Sequence, residues 1–263
     1  MLHAALVRAA GSTASKHPSF ALRMTATMKH FFALLALAAS ALFHPGAWAN
    51  DEVAAKLRQT LPNLPPNAAF EATPIPGLYE MRIGTDVMYV DAKGQYLLRG
   101  EIIDLKNQIN LTQARVDELL RIPFDQLPLK DGFQIKRGNG KRQLVIFEDP
   151  NCGYCKRLER DMASMSDLTV TVMLIPVLGK DSLTKSQAIW CADDRVKAWE
   201  EWMIDGIKPA EASCDTSAID RNLAFARQHQ INGTPTIFFI DGSRVPGAVP
   251  ASDIEKRLQA LHP

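Results

Sequence analysis

Gln143-Leu144-Val145-Ile146-Phe147-Glu148-Asp149-Pro150-Asn151-Cys152-Gly153-Tyr154-Cys155 is the stretch that decides the fold. Gln143 to Phe147 reads as a buried strand, and Lys156 to Met165 has helical periodicity. A Cys-x-x-Cys at a strand-to-helix turn brings two sulfurs within disulfide reach. It also sets the first of them over the unpaired N–H groups of the helix, where the dipole favours a thiolate. Such a pair can attack a foreign disulfide through Cys152 and resolve the mixed disulfide through Cys155. Half a zinc site or a plain structural disulfide is the competing reading. Zinc would want a second Cys-x-x-Cys or a Cys/His pair at ligand spacing, whereas Cys191 and Cys214 are far apart with no His beside them. No metal and no cofactor is expected.

The N-terminus supplies the compartment. Met28-Lys29-His30 is a short basic region, Phe31 to Phe43 is an apolar run, and Ala47-Trp48-Ala49 is a small-x-small cleavage signal. A bilayer takes about 20 apolar residues, more than this run provides. Residues 1–49 therefore read as a signal peptide with an over-extended start, initiation falling at Met24 or Met28 and the mature chain beginning at Asn50. A transit peptide is the alternative for residues 1–27, which hold Arg8, Lys16 and Arg23 and no acid. All four cysteines lie beyond residue 49, in a chain bound for an oxidising compartment. Arg8, Lys16, Arg23 and Lys29 precede residue 50 and every acid follows it. Of 30 Lys+Arg, 26 remain against 29 Asp+Glu, a net charge of −3. That charge excludes a nucleic-acid binder and a membrane-surface protein.

Two domains and a connector are expected. Residues 50–109 read as a small α+β domain. Asp51 to Thr60 is its helix, and Leu78 to Ile83, Val87 to Val90, Tyr96 to Arg99 and Ile102 to Leu105 are its strand-like runs. So small a core would gain by pairing with a second copy. Residues 110–132 form a linker helix, Asn110 to Ile122, with a Pro-bracketed end; an ordinary helix packed on one domain is the alternative. Residues 133–263 run β, α, β, α, β. Asn139-Gly140 reads as a hairpin turn between Phe133–Arg137 and Arg142–Phe147. Leu168 to Val177 is an apolar strand, and a helical insertion covers about Ser182 to Arg227. Thr236 to Ile240 and Ser243 to Pro246 make a last hairpin, and Ser252 to Leu261 closes the chain. The expected fold is mixed: an α+β N-terminal dimerisation domain, then an α/β thioredoxin-like domain with a helical insertion.

Beyond these patterns the chain resembles the DsbC family, periplasmic disulfide isomerases of Gram-negative bacteria, over essentially all its mature length. The resemblance rests on Phe147 to Leu158, Ala188-Ile189-Trp190-Cys191-Ala192, Ala212-Ser213-Cys214-Asp215 and Gly233-Thr234-Pro235. Tyr89 and Gly100 match more diffusely. The dipeptide Gly153-Tyr154 fits this family better than its relatives: thioredoxins usually carry Gly-Pro there, DsbA oxidases Pro-His, and DsbG-like proteins Pro-Tyr. The resemblance implies Cys152 as nucleophile, Cys155 as resolving cysteine, and Thr234-Pro235 as a cis-proline loop whose backbone pairs with an extended substrate strand. It also implies a V-shaped homodimer, misfolded disulfide-containing exported proteins as substrates, and a DsbD-like membrane protein as reductant. Cys191 and Cys214, in the helical insertion of an exported chain, are read as a structural disulfide, with two free buried cysteines as the alternative.

Thioredoxin and DsbA place a buried acid six residues before the first cysteine, where this chain has Ile146. The proton acceptor for Cys155 is therefore unassigned. Glu148 and Asp149 flank the site, with a solvated surface role as an equal alternative. Lys156 and Arg157 could help hold a thiolate, although a solvated face explains them as well. Trp190, Trp199 and Trp202 are read as core packing of the insertion, and His229 is left aside. The resulting reading is a periplasmic protein disulfide isomerase that also acts as a chaperone. The alternatives are a dithiol oxidase or client-specific reductase of DsbA or DsbG type, and a periplasmic folding chaperone.

Overall fold

The computed structural model describes residues 45–61 and 63–261. The basic region and apolar run of the expected export signal lie outside these. By its contacts the chain divides after Ala55, and the unit beginning at Lys56 holds both main sheets.

The first helix among the described residues, α1 (Pro45–Thr60), leads into a four-stranded antiparallel sheet. Its strands are β1 (Ala69–Ala72), β2 (Leu78–Ile83), β3 (Asp86–Asp91) and β4 (Leu97–Leu98), in that spatial order. β1 escaped the sequence, and Tyr96–Arg99 and Ile102–Leu105 are shorter strands than their composition suggested. A ribbon of β5 (Ile103–Asp104) and β6 (Ile109–Asn110) precedes α2 (Leu111–Leu119). Asn110 caps α2, its side chain accepting from Gln113 N at 2.9 Å. Arg115 ties the helix to the sheet through Glu71 at 2.7 Å and Glu80 at 3.1 Å. At the far end Ile122 N donates to Gly242 O at 3.0 Å. Gly242 has φ +78°, and a Cβ there would stand 2.6 Å from Ile122 O, so the approach requires glycine.

The second sheet runs β11 (Arg244–Pro246), β10 (Thr236–Phe239), β8 (Arg142–Glu148), β9 (Leu168–Leu174), β7 (Phe133–Arg137). Only β8 and β9 are parallel. Five further helices accompany it: α3 (Gly153–Met162), α4 (Lys180–Cys191), α5 (Arg195–Glu200), α6 (Ser217–Gln228) and α7 (Ala251–Leu261). The strand period of two sorts the core. Leu144 and Ile146 of β8 join Leu158 and Met162 of α3 and Ile254 and Leu258 of α7. Val145 and Phe147 face the other way, towards Ala226, Phe238 and Ile122.

One expectation fails. The Asn139-Gly140 turn does not pair β7 with β8, because β9 enters between them and pairs with both. Residues 138–141 instead cross the start of β9, spanning two strand spacings of about 4.8 Å each. Asp167 Oδ1 accepts from Asn139 N at 3.2 Å, and Thr169 Oγ1 donates to Gly140 O at 2.9 Å. A Cβ at Gly140 (φ +67°) would lie 2.6 Å from Thr169 Oγ1. The Asn-Gly signal reports a sharp local bend and carries no information about which strand lies alongside.

Candidate active site

β8 ends at Glu148, Asp149 to Asn151 make the turn, and Cys152 is the N-cap of α3. Cys152 Sγ accepts from Cys155 N at 3.4 Å, so the first sulfur does occupy the electropositive end of the helix. It lies 3.2 Å from Thr234 O, on the loop before β10, where the Thr234-Pro235 peptide is cis. The Cys152 thiol is held down at about 5. Side-chain hydrogen bonding from Cys155 leads, with Thr234 and the amides of Cys155 and Tyr154 acting the same way against desolvation. Cys155 is fully buried one turn into the helix, and its thiol is pushed far above the ordinary range, chiefly by burial. The two sulfurs are free thiols of opposite character: one a thiolate at neutral pH, the other firmly protonated. Gly153 opens α3 and Tyr154 stands exposed beside Cys152.

Asp149 organises the turn and has no surface role, since it is completely buried. Its Oδ1 accepts from Asn151 N and Ser182 Oγ, both at 2.7 Å. Its Oδ2 accepts from Val177 N at 2.8 Å and Leu178 N at 2.9 Å. The same carboxylate thus fixes the turn into Cys152 and the exposed apolar pair Val177–Leu178. Trp202 has a second job beside packing: its Nε1 donates to Pro150 O at 2.5 Å. The ammonium groups of Lys156 and Lys185 lie 3.5 and 4.6 Å from its ring centre. Lys156 is therefore occupied by the indole, and Arg157 points to solvent with Asp161. Trp199 is fully buried, while Trp190 donates from Nε1 to Asp215 O at 3.0 Å.

Glu148 is also completely buried, and neither of its carboxylate oxygens has a hydrogen-bond partner among the described residues. Glu159 of α3 is buried as well. It accepts from Trp199 Nε1 at 3.2 Å and lies 3.4 Å from the Arg137 guanidinium. Sequence reasoning missed Glu159, although a signal exists: Cys155, Leu158, Glu159 and Met162 share the buried face of α3 at i, i+3, i+4 and i+7. Glu148 likewise continues the even-numbered face of β8, with Leu144 and Ile146.

Cys191 and Cys214 are joined in a disulfide with Cα atoms 5.4 Å apart. His229 ends α6 with its ring 4.2 Å from Phe225.

Residues 129–262 match the thioredoxin-like domain family, and residues 44–113 match the disulfide bond isomerase protein N-terminal domain. The thiol:disulfide interchange protein DsbC of Escherichia coli K12 is 30% identical over 238 residues, covering 88% of this chain and 96% of that protein. The chain belongs to the DsbC family. A probable DsbC of Bordetella pertussis is 44% identical over 182 residues, 69% of this chain. The match spans 65% of the length of that relative. A disulfide interchange protein from Neisseria gonorrhoeae, 35% identical, superposes with a TM-score of 0.49 over 51% of this chain and 97% of its own. Membership of the DsbC family accords with the two matches, the N-terminal domain family first and the thioredoxin-like family after it. No helix among the described residues is long and apolar enough to cross a membrane.

Proposed function

We propose that the protein is a periplasmic thiol–disulfide isomerase and reductase that rearranges non-native disulfides in exported proteins. The observation that carries this reading is the pairing of a stabilised Cys152 thiolate with a buried, protonated Cys155 one helical turn away. Cys152 attacks a client disulfide, forming a Cys152–client bond and releasing the other client sulfur as thiolate. A different client thiolate, already free or released when the first attacks a second client disulfide, then attacks the client sulfur of the mixed disulfide and expels the Cys152 thiolate, which completes an isomerisation with no net redox change. When rearrangement stalls, Cys155 attacks Cys152, releases the client reduced, and leaves a Cys152–Cys155 disulfide. A DsbD-like membrane reductase restores the dithiol.

Thr234 and Pro235 form the loop that receives an extended client segment, and Tyr154, Val177 and Leu178 supply an apolar rim suited to unfolded chain. Such a rim also supports chaperone activity. Cys191–Cys214 is the structural disulfide of the insertion. The domains are 50–109 for dimerisation, 110–132 as linker and 133–263 for catalysis, with residues 1–49 the export signal, and the working form is a homodimer. Refolding of a scrambled multi-disulfide protein tests the function. The wild type is expected to restore native pairing and Cys152→Ala to lose that ability; rescue by Cys152→Ala would leave only a chaperone. The Cys152–Cys155 pair is expected mostly reduced in the periplasm, and a mostly oxidised pair would point to an oxidase.

A further inference from the structure

The resolving step needs a place for a proton. Cys155 must lose one to attack, and its thiol is sealed from water. Ile146 fills the position where related folds carry a buried acid, yet the next residue on that face of β8 is Glu148. Glu148 sits at the C-terminal end of the strand that leads into the active-site turn, wholly buried beside Glu159 and Cys155, and neither oxygen makes a hydrogen bond of ordinary geometry to a described residue. An orphaned buried carboxyl is costly for a merely structural role, since an apolar residue of that size would avoid the desolvation. Asp149 beside it shows the contrast, with every oxygen engaged.

We propose that Glu148, paired with Glu159, is the proton acceptor that enables Cys155 to resolve mixed disulfides. This rests on the reading of Cys152 and Cys155 given above. Two buried carboxyls that act on one another hold one proton between them more readily than none or two. Glu159 faces the Arg137 guanidinium and Trp199 Nε1, so it holds the negative charge, while Glu148 carries the shared proton. The charged groups around the pair are Arg137 of β7, Glu200 of α5, and Cys152 and Cys155 of the active site. Burial is the main reason both carboxyls hold protons more tightly than usual.

In the mixed disulfide Cys152 has lost its charge. Cys155 then passes its proton to Glu148 as Glu148 passes one to Glu159. The Cys155 sulfur attacks Cys152, the Cys155–Cys152 bond forms, and the Cys152–client bond breaks with its electron pair leaving on the client sulfur. The client is reduced, the dithiol is oxidised, and the pair finishes with two protons.

The test is single-turnover decay of a mixed disulfide between Cys152 and a model thiol, followed against pH. Glu148→Gln is expected to slow decay at neutral pH by about a hundredfold, the scale of general-base assistance, with recovery as pH rises and hydroxide takes over. Formation of the mixed disulfide reports Cys152 alone, so its failure would overturn the underlying reading and not this one. Decay by Glu148→Gln at the wild-type rate across pH would overturn the proposal. Should that variant not fold, infrared difference spectra of the wild type decide. A carboxylic-acid carbonyl band must grow on oxidation of the pair, and its absence would overturn the proposal.

Discussion

At the scale of single residues, the active site is set by which polar atoms find partners. Cys152 accepts a hydrogen bond from the Cys155 thiol, supported by Thr234 and by amides at a helix start, which lowers its thiol from the ordinary 9.0 to about 5. A depressed pKa stabilises the reduced fold where the thiolate exists in the native state alone. That contribution is complete above about pH 9, shrinks as pH falls, and is gone below about pH 5. Alkylation of Cys152 should therefore show a midpoint near pH 5, and the stability gap between reduced wild type and Cys152→Ala should narrow from about pH 9 to about pH 5. A midpoint above pH 8 would contradict the assignment. Asp149 makes a second residue-scale prediction. Asp149→Ala orphans three part-buried amides and the buried Ser182 hydroxyl, at about 1 kcal/mol for each donor left unmade. Chemical denaturation should show a loss of about 3 kcal/mol, and Cys152 should react more slowly because its turn is no longer fixed. Cys152 and Cys155 were legible because their spacing and helix-start position are local facts. The burial of Glu148, Asp149 and Glu159 was not, because it depends on which helix covers which strand. Face periodicity carried a trace of it for Glu148 and Glu159.

At the scale of elements, the chain shows where local pattern stops being informative. The strand β8, the helix α3 and the hairpin β10–β11 follow from periodicity and turn residues, and each lies close to its expected bounds. The pairing of β7 does not follow, because β9, more than 20 residues further on, displaces β8 as its neighbour. The insertion behaves similarly. Its helical content was readable, but not the contact by which Trp202 reaches back to Pro150, since the partner is 52 residues away. That contact makes the insertion a brace for the active-site turn, and Cys191–Cys214 fastens the brace across a separation of 23 residues. Replacing both with Ala should lower stability by about 3 kcal/mol in the chain-entropy description. Denaturant titration checks the stability loss. Mild dithiothreitol should reduce an oxidised Cys152–Cys155 pair before Cys191–Cys214. If the double variant kept full stability, the fastening role of the disulfide would be refuted.

At the scale of the whole molecule, the small sheet ends on an edge that no further strand of the described residues pairs. β4 is the terminal strand after β3, and Tyr96, Leu97 and Leu98 are 70%, 53% and 48% exposed. Ile103, Leu105 and Ile109 add exposed apolar surface on the segment that follows. Unpaired edges usually carry charge or a covering element to prevent association; this one carries leucines, which favours a second strand alongside. Two copies joined there would share one apolar surface, so a client held on one arm meets the second at raised effective concentration. Prolonged contact favours isomerisation over simple reduction, because the freed client thiol has time to attack within the client. Leu97→Asp with Leu98→Asp places two charges on the edge and should convert a sedimenting dimer into a monomer. The monomer should still reduce insulin, which needs only Cys152 and Cys155, and should lose most of its ability to repair a scrambled protein. Sedimentation and both assays on the same preparation separate the outcomes. A charged variant that stays dimeric moves the interface elsewhere, and a monomer that repairs at the wild-type rate removes the dimer from the mechanism.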